Sequence, residues 1–183
     1  MVLTGAQACR YLHTQKDAVI TQTLVNRIYS ADTFKGFRLP EGNMCEDEAV
    51  IYKLLYSCNK IGVSYKYLYA YYQTSDSVMR ADFSKKHLIY LDILEERISF
   101  YKEKDEQELY ELTLKSKCYA LQDYYCKCKE AFPQETELYT NMRQEFLKTY
   151  PQAIKSKYIP LKSKLCLLTM RISPKLYRKL RGQ

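Results

Sequence analysis

The chain has 183 residues, 46% of them hydrophobic and 27% charged, with five Gly, seven Cys and no Trp. Enough apolar material is present for a packed core, which excludes a disordered chain, and no apolar run approaches the ~20 residues of a membrane-spanning helix. The formal charge of +8 belongs to residues 151–183, which hold nine Lys or Arg and no Asp or Glu, against 20 basic and 21 acidic side chains in the remainder.

The glycines, at 5, 36, 42, 62 and 182, cannot be spaced as G-x-G-x-x-G or as a P-loop. The N-terminus, Met1-Val2-Leu3-Thr4-Gly5, has no charged segment leading into an apolar one, so no signal peptide is expected. The cysteines are odd in number and show no framework spacing, which points to reduced thiols in a cytoplasmic protein. Cys126 and Cys128 are two apart on a helical pattern and point about 200° away from each other, so they do not share an ion. The only histidines are His13 and His87, and no metal site is expected.

In chain order, Thr4 to about Thr14 reads as a short helix with Thr4 as N-cap and Ala6, Ala8, Cys9 and Leu12 as packing residues. Residues 34–43 read as loop and short extended chain, punctuated by Gly36, Pro40, Gly42 and Asn43. From Glu46 a helix follows. Its stripe is Asp47, Val50, Ile51, Leu54, Leu55 and Cys58, so Asp47 points inward while Glu46 and Glu48 lie to either side. Two short strands come next: one alternating through Ile61, Val63 and Tyr65, and one at Leu68-Tyr69-Ala70-Tyr71-Tyr72, aromatic throughout as a covered strand would be. Beyond residue 82 the pattern is helical. Ser84 caps a helix with the stripe Leu88, Leu91, Leu94, Ile98 and Tyr101. A second carries Tyr110, Leu114, Cys118, Leu121, Tyr125, Cys128 and Phe132. Pro133 opens a third, with Leu138, Met142 and Phe146, which Pro151 ends. Ser173-Pro174 opens the last, with Leu176, Tyr177 and Leu180.

The fold class is therefore α+β, mainly α. Residues 1–80 are mixed and residues 81–183 form a helical extension ending in the basic tail 151–183.

Two segments could carry chemistry. In Cys45-Glu46-Asp47-Glu48, an inward carboxylate at a helix start is placed to act as a general base, and equally placed to act as a cap. In Tyr69 to Ser77, aromatic faces followed by hydroxyl donors suit a sugar or phosphate ligand, and also suit a buried strand entering a turn.

Taken in order, several segments resemble the acceptor-side half of bacterial family 2 glycosyltransferases. They are Val25-Asn26-Arg27-Ile28-Tyr29, Phe37-Arg38-Leu39-Pro40-Glu41-Gly42, Cys45-Glu46-Asp47-Glu48, Lys60-Ile61-Gly62-Val63, Leu68-Tyr69-Ala70-Tyr71-Tyr72-Gln73 and Ser77-Val78-Met79. Pro174-Lys175-Leu176-Tyr177 resembles that family's closing segment. Arg27 stands where Lys is usual, Leu39 where Phe is usual, and Thr74 where a basic residue often follows Tyr-Gln.

The resemblance implies an incomplete GT-A α/β domain that transfers a sugar, with inversion, from a nucleotide-sugar to a glycan or lipid-linked acceptor in surface polysaccharide synthesis. It implies Asp47 as general base and Glu46, Asn26, Tyr71, Gln73 and Ser77 as substrate-binding residues. A full-length enzyme of this kind uses Mg or Mn held by a D-x-D motif. No two aspartates here are separated by a single residue, so the resemblance implies a chain that lacks the nucleotide-binding half, binds no cofactor itself and is inactive alone. The basic tail suggests an anionic membrane surface on the inner face of the cell, in place of a nucleic acid, and an uncovered sheet edge suggests a homo-oligomer. The alternative is a non-catalytic helical module that binds protein or membrane.

Overall fold

The computed structural model describes residues 1–14, 22–42, 44–66, 68–70, 72 and 82–181. The chain divides into two compact units, Met1–Tyr90 and Leu91–Gln183.

The N-terminal unit opens with strand β1 (Val2–Leu3), paired antiparallel with β2 (Ile61–Gly62) so that Leu3 lies opposite Ile61. Val63 N–H lengthens the ribbon by donating to Met1 O at 2.8 Å. Helix α1 (Gly5–Thr14) starts in a capping box: Gln7 N–H donates to Thr4 Oγ1 at 3.3 Å, and Thr4 N–H donates to Gln7 Oε1 at 2.9 Å. Thr4 is thus the N-cap that the sequence predicts. Ala8, Cys9 and Leu12 are buried where α1 packs against α2 (Glu46–Ser57). The buried face of α2 is Ala49, Val50, Ile51, Tyr52, Leu54 and Leu55, wider than the expected stripe by Ala49 and Tyr52. The Cys9 thiol donates to Tyr52 O at 3.4 Å across this contact. Gly5 is there for a reason of space: a Cβ on it would stand 2.4 Å from Leu55 O and 2.6 Å from Tyr56 O, at the end of α2.

The strand expected at 68–72 is absent among the described residues. Leu68, Tyr69, Ala70 and Tyr72 have no regular structure, and Leu68 and Tyr72 are 76% and 86% exposed. Aromatic composition favours a strand only where a neighbouring strand accepts its backbone hydrogen bonds, and the described sheet has two short members already paired with each other. Among the described residues the mixed half is therefore less β than its sequence suggests.

The N-terminal unit closes with a short 3-10 turn at Lys85–Leu88, started by a capping box between Ser84 and His87, which leads into α3 (Ile89–Glu103). The C-terminal unit, from Leu91, is helical. From Leu91 onward α3 buries Ile93, Leu94, Arg97, Ile98 and Tyr101. It stops at Asp105, whose φ of 56° lets Glu106 N–H reach Tyr101 O at 2.9 Å. Helices α4 (Gln107–Ala131) and α5 (Thr136–Lys155) then form an antiparallel hairpin. Tyr110 meets Gln152, Lys117 meets Glu145, and Tyr125 meets Tyr139 along its length.

Two expectations need correction here. Pro133 lies in the turn before α5 and does not open it. Pro151 does not end α5, which runs four residues further to Lys155. Pro151 and Leu147, one turn earlier, both face outward, so the hydrogen bond that proline removes is lost on the wet side. Fully buried Ala153 holds the last turn.

Helix α6 (Leu161–Ile172), after Pro160, has no counterpart among the expected helices. It buries Leu167 and Met170. Arg143 of α5 caps its C-terminus, donating to Met170 O at 2.7 Å and to Arg171 O. The last helix, α7 (Pro174–Arg181), begins as expected: Ser173 Oγ accepts from Leu176 N–H at 3.3 Å and Tyr177 is buried. No helix among the described residues is long and apolar enough to cross a membrane.

Candidate active site

The first turn of α2 carries three carboxylates in succession, Glu46, Asp47 and Glu48. The residue before them, Cys45, occupies the N-cap position and makes no side-chain cap bond. Such a helix start favours negative charge through its unpaired N–H groups. Glu46 is exposed, and Asp47 and Glu48 are half-buried.

The Asp47 carboxylate accepts from the backbone N–H of Leu24 and lies within electrostatic reach of Arg27. Burial raises the Asp47 carboxyl above its ordinary value and neighbouring Glu46 adds to the rise, while the Leu24 N–H and Arg27 oppose it. The net effect is a carboxyl that holds its proton more readily than one in water.

The segment that meets Asp47 is held by its own polar contacts. Arg27 Nε donates to Thr23 O at 3.0 Å, and the Tyr29 hydroxyl donates to Leu24 O at 3.2 Å. The Tyr29 ring stands edge-on to Phe34 at 5.0 Å. Between these residues Asn26 takes a left-handed φ of 62°, a conformation that asparagine tolerates better than most residues. Its side chain is exposed. Burial lowers the Arg27 guanidinium from its usual value, with Tyr29 and Asp47 opposing. Burial likewise raises the Tyr29 phenol, opposed by Arg27 and reinforced by Asp47 and Cys58. Ile28 is fully exposed beside them.

Two of the sequence segments singled out above, 25–29 and 45–48, thus converge. Of the residues proposed for the site, Asp47, Glu46 and Asn26 lie in this region, while Tyr71, Gln73 and Ser77 lie outside the described residues. Arg27 and Tyr29 join the site although the sequence reading gave them no role, and their place in the same short motif as Asn26 was the available signal. The Leu24 N–H is a backbone group and leaves no mark in a sequence.

Among the described residues no three His, Cys, Asp or Glu side chains converge on a point that could hold a metal ion. The metal that the resemblance implies belongs to a D-x-D motif, and no two aspartates of this chain are separated by a single residue.

The C-terminal unit has its own concave feature, a cleft of about 290 Å³ whose lining includes Ile98, Leu114 and Lys117. Lys117 is 7% exposed and pairs with Glu95 of α3 and, at 2.7 Å, with Glu145 of α5. Burial lowers its pKa and the two carboxylates outweigh it, so the lysine stays charged. It joins three helices and its charge is met from within the unit.

No protein-family model, no curated protein and no solved structure matches the chain.

Proposed function

We propose that the chain is the acceptor-side part of an inverting glycosyltransferase, with Asp47 as the general base. The observation that carries this reading is the inward turn of the Asp47 carboxylate onto the Leu24 N–H, beside Arg27 and Tyr29. A capping carboxylate would bond the amides of its own first turn. Asp47 is instead held by another segment, with its pKa raised toward the range in which a carboxylate accepts a proton effectively.

In the proposed reaction an acceptor hydroxyl attacks the anomeric carbon of a nucleotide-sugar. The new glycosidic C–O bond forms as the bond to the diphosphate oxygen breaks, and the leaving diphosphate takes that electron pair. The hydroxyl proton passes to Asp47. Arg27 balances the carboxylate's charge before transfer, and its bond to the Thr23 carbonyl fixes the peptide plane that carries the Leu24 N–H, while Tyr29 holds the Leu24 carbonyl on the other side. Glu46, Asn26, Tyr71, Gln73 and Ser77 are the groups proposed to bind substrate. The diphosphate is proposed to be handled by a D-x-D-bearing segment outside this sequence.

The test is sugar transfer by this chain joined to a nucleotide-sugar-binding half that carries D-x-D. Asp47→Asn keeps the shape and the hydrogen bond from Leu24 but removes the base, so turnover should fall by about 10²-fold or more. Near-normal turnover in Asp47→Asn would remove Asp47 from the mechanism.

A further inference from the structure

Helix α6 is apolar on two opposite faces. Leu167 and Met170 are buried in the C-terminal unit, with 0% and 1% of their surface exposed. Leu161, Leu165, Leu168 and Ile172 point the other way and are 72%, 55%, 37% and 68% exposed. At about 100° per residue these four fall within an arc of about 60°, so they make one continuous outward stripe. Leu176 of α7, the next helix, is also exposed, at 43%. Leaving this much leucine and isoleucine in water on one helix face costs free energy that a covering partner would recover.

The charges around the stripe restrict what that partner is. Lys162 lies about 90° to one side, and Lys164 and Arg171 about 70–90° to the other. Lys162, Arg171 and Lys175 are exposed and Lys164 is half-exposed. No carboxylate occurs anywhere in residues 151–183. A second copy meeting this face through a two-fold axis would set cation against cation. A nucleic acid would take the lysines and leave the leucines wet. A surface that offers negative charge at one level and hydrocarbon just below it takes both.

We propose that the outward face of α6 docks on an anionic lipid bilayer. The helix lies in the plane of the interface, with Leu161, Leu165, Leu168 and Ile172 at the boundary between headgroups and acyl chains and with Lys162, Lys164 and Arg171 on lipid phosphates. The inference uses no feature of the Asp47 site and stands or falls separately from the transferase reading.

The experiment is co-sedimentation of the full chain with vesicles of phosphatidylcholine alone and with vesicles containing phosphatidylglycerol. Two triple variants are compared with it: Leu161→Gln, Leu165→Gln, Leu168→Gln, and Lys162→Gln, Lys164→Gln, Arg171→Gln. None of the six positions is buried, and an unchanged circular dichroism melting curve verifies that each variant is folded. The chain should bind the anionic vesicles and not the neutral ones, and each variant should lose about tenfold or more in partitioning. Wild-type binding by the leucine variant would reduce the contact to charge alone and overturn the proposal. So would tighter binding to a duplex oligonucleotide than to vesicles at the same salt concentration. A dimer that the leucine variant breaks, without vesicle binding by the parent chain, would identify a self-association face instead.

Discussion

Replacing Gly5 by Ala sets two known effects against each other. In a helix, alanine is favoured over glycine by about 0.5–1 kcal/mol, because glycine gives up more backbone freedom on folding. Against that, the added Cβ would lie 2.4, 2.6 and 2.9 Å from the carbonyl oxygens of Leu55, Tyr56 and Cys58, where ordinary contact begins at 3.4 Å. All three obstacles are backbone at the end of α2, and no side chain can swing aside. Helix α1 must therefore retreat by up to about 1 Å, loosening the packing of Ala8 and Leu12 and the Cys9–Tyr52 contact; overpacking of this kind costs about 2–3 kcal/mol. The net expectation is a loss of about 1–2.5 kcal/mol in the N-terminal unit. Amide hydrogen exchange in α1 and α2 reads that unit by itself and should accelerate about tenfold or more. Gly62→Ala is the control, since nothing lies within 4 Å of its Cβ position. Unchanged or improved protection in Gly5→Ala would refute the close approach of the two helices.

Asp47 gives a pH-dependent prediction whose sign is fixed by its raised carboxyl. The unfolded chain releases that proton at lower pH than the folded one, so the folded state loses stability as pH climbs through the carboxylate range, and the full penalty is present above the folded value. Asp47→Asn does not titrate, so its stability relative to the parent should improve between about pH 3 and pH 7 in urea titrations. A relative loss over the same interval would mean that attraction to Arg27 dominates. At the other end of the chain, Arg143→Ala removes both caps from the end of α6. It should cost about 1.5 kcal/mol, the lower end for charged hydrogen bonds because Arg143 is half-exposed. The last turn of α6 should exchange faster, and Arg143→Lys, with no planar fork to span two carbonyls, should restore it only in part.

Much of the local structure was legible in the sequence. Thr4, Ser84 and Ser173 start their elements as expected, because a cap is a contact between a side chain and the backbone two or three residues on. The inward stripes of α1 and α2, and Leu114, Cys118, Leu121 and Cys128 of the expected α4 stripe, follow from the 3.6-residue repeat, which likewise acts over short separations, whereas Tyr110, Tyr125 and Phe132 are only half-buried. The same repeat sets Asp47 on the inner side of α2. Tertiary structure decided what that side meets, since the Leu24 N–H and Arg27 lie some twenty residues away and a backbone donor has no letter of its own. It also decided that Leu68, Tyr69 and Tyr72 stand exposed outside any strand, because a strand exists only beside another strand. It buried Lys117 in a hydrophobic stripe, because Glu95 and Glu145 come from other helices to meet its charge. In α6 it turned Leu167 inward and Leu165 and Leu168 outward: the sequence Leu165-Cys166-Leu167-Leu168 is apolar all round, and the positions of α4, α5 and α7 determine which side is covered.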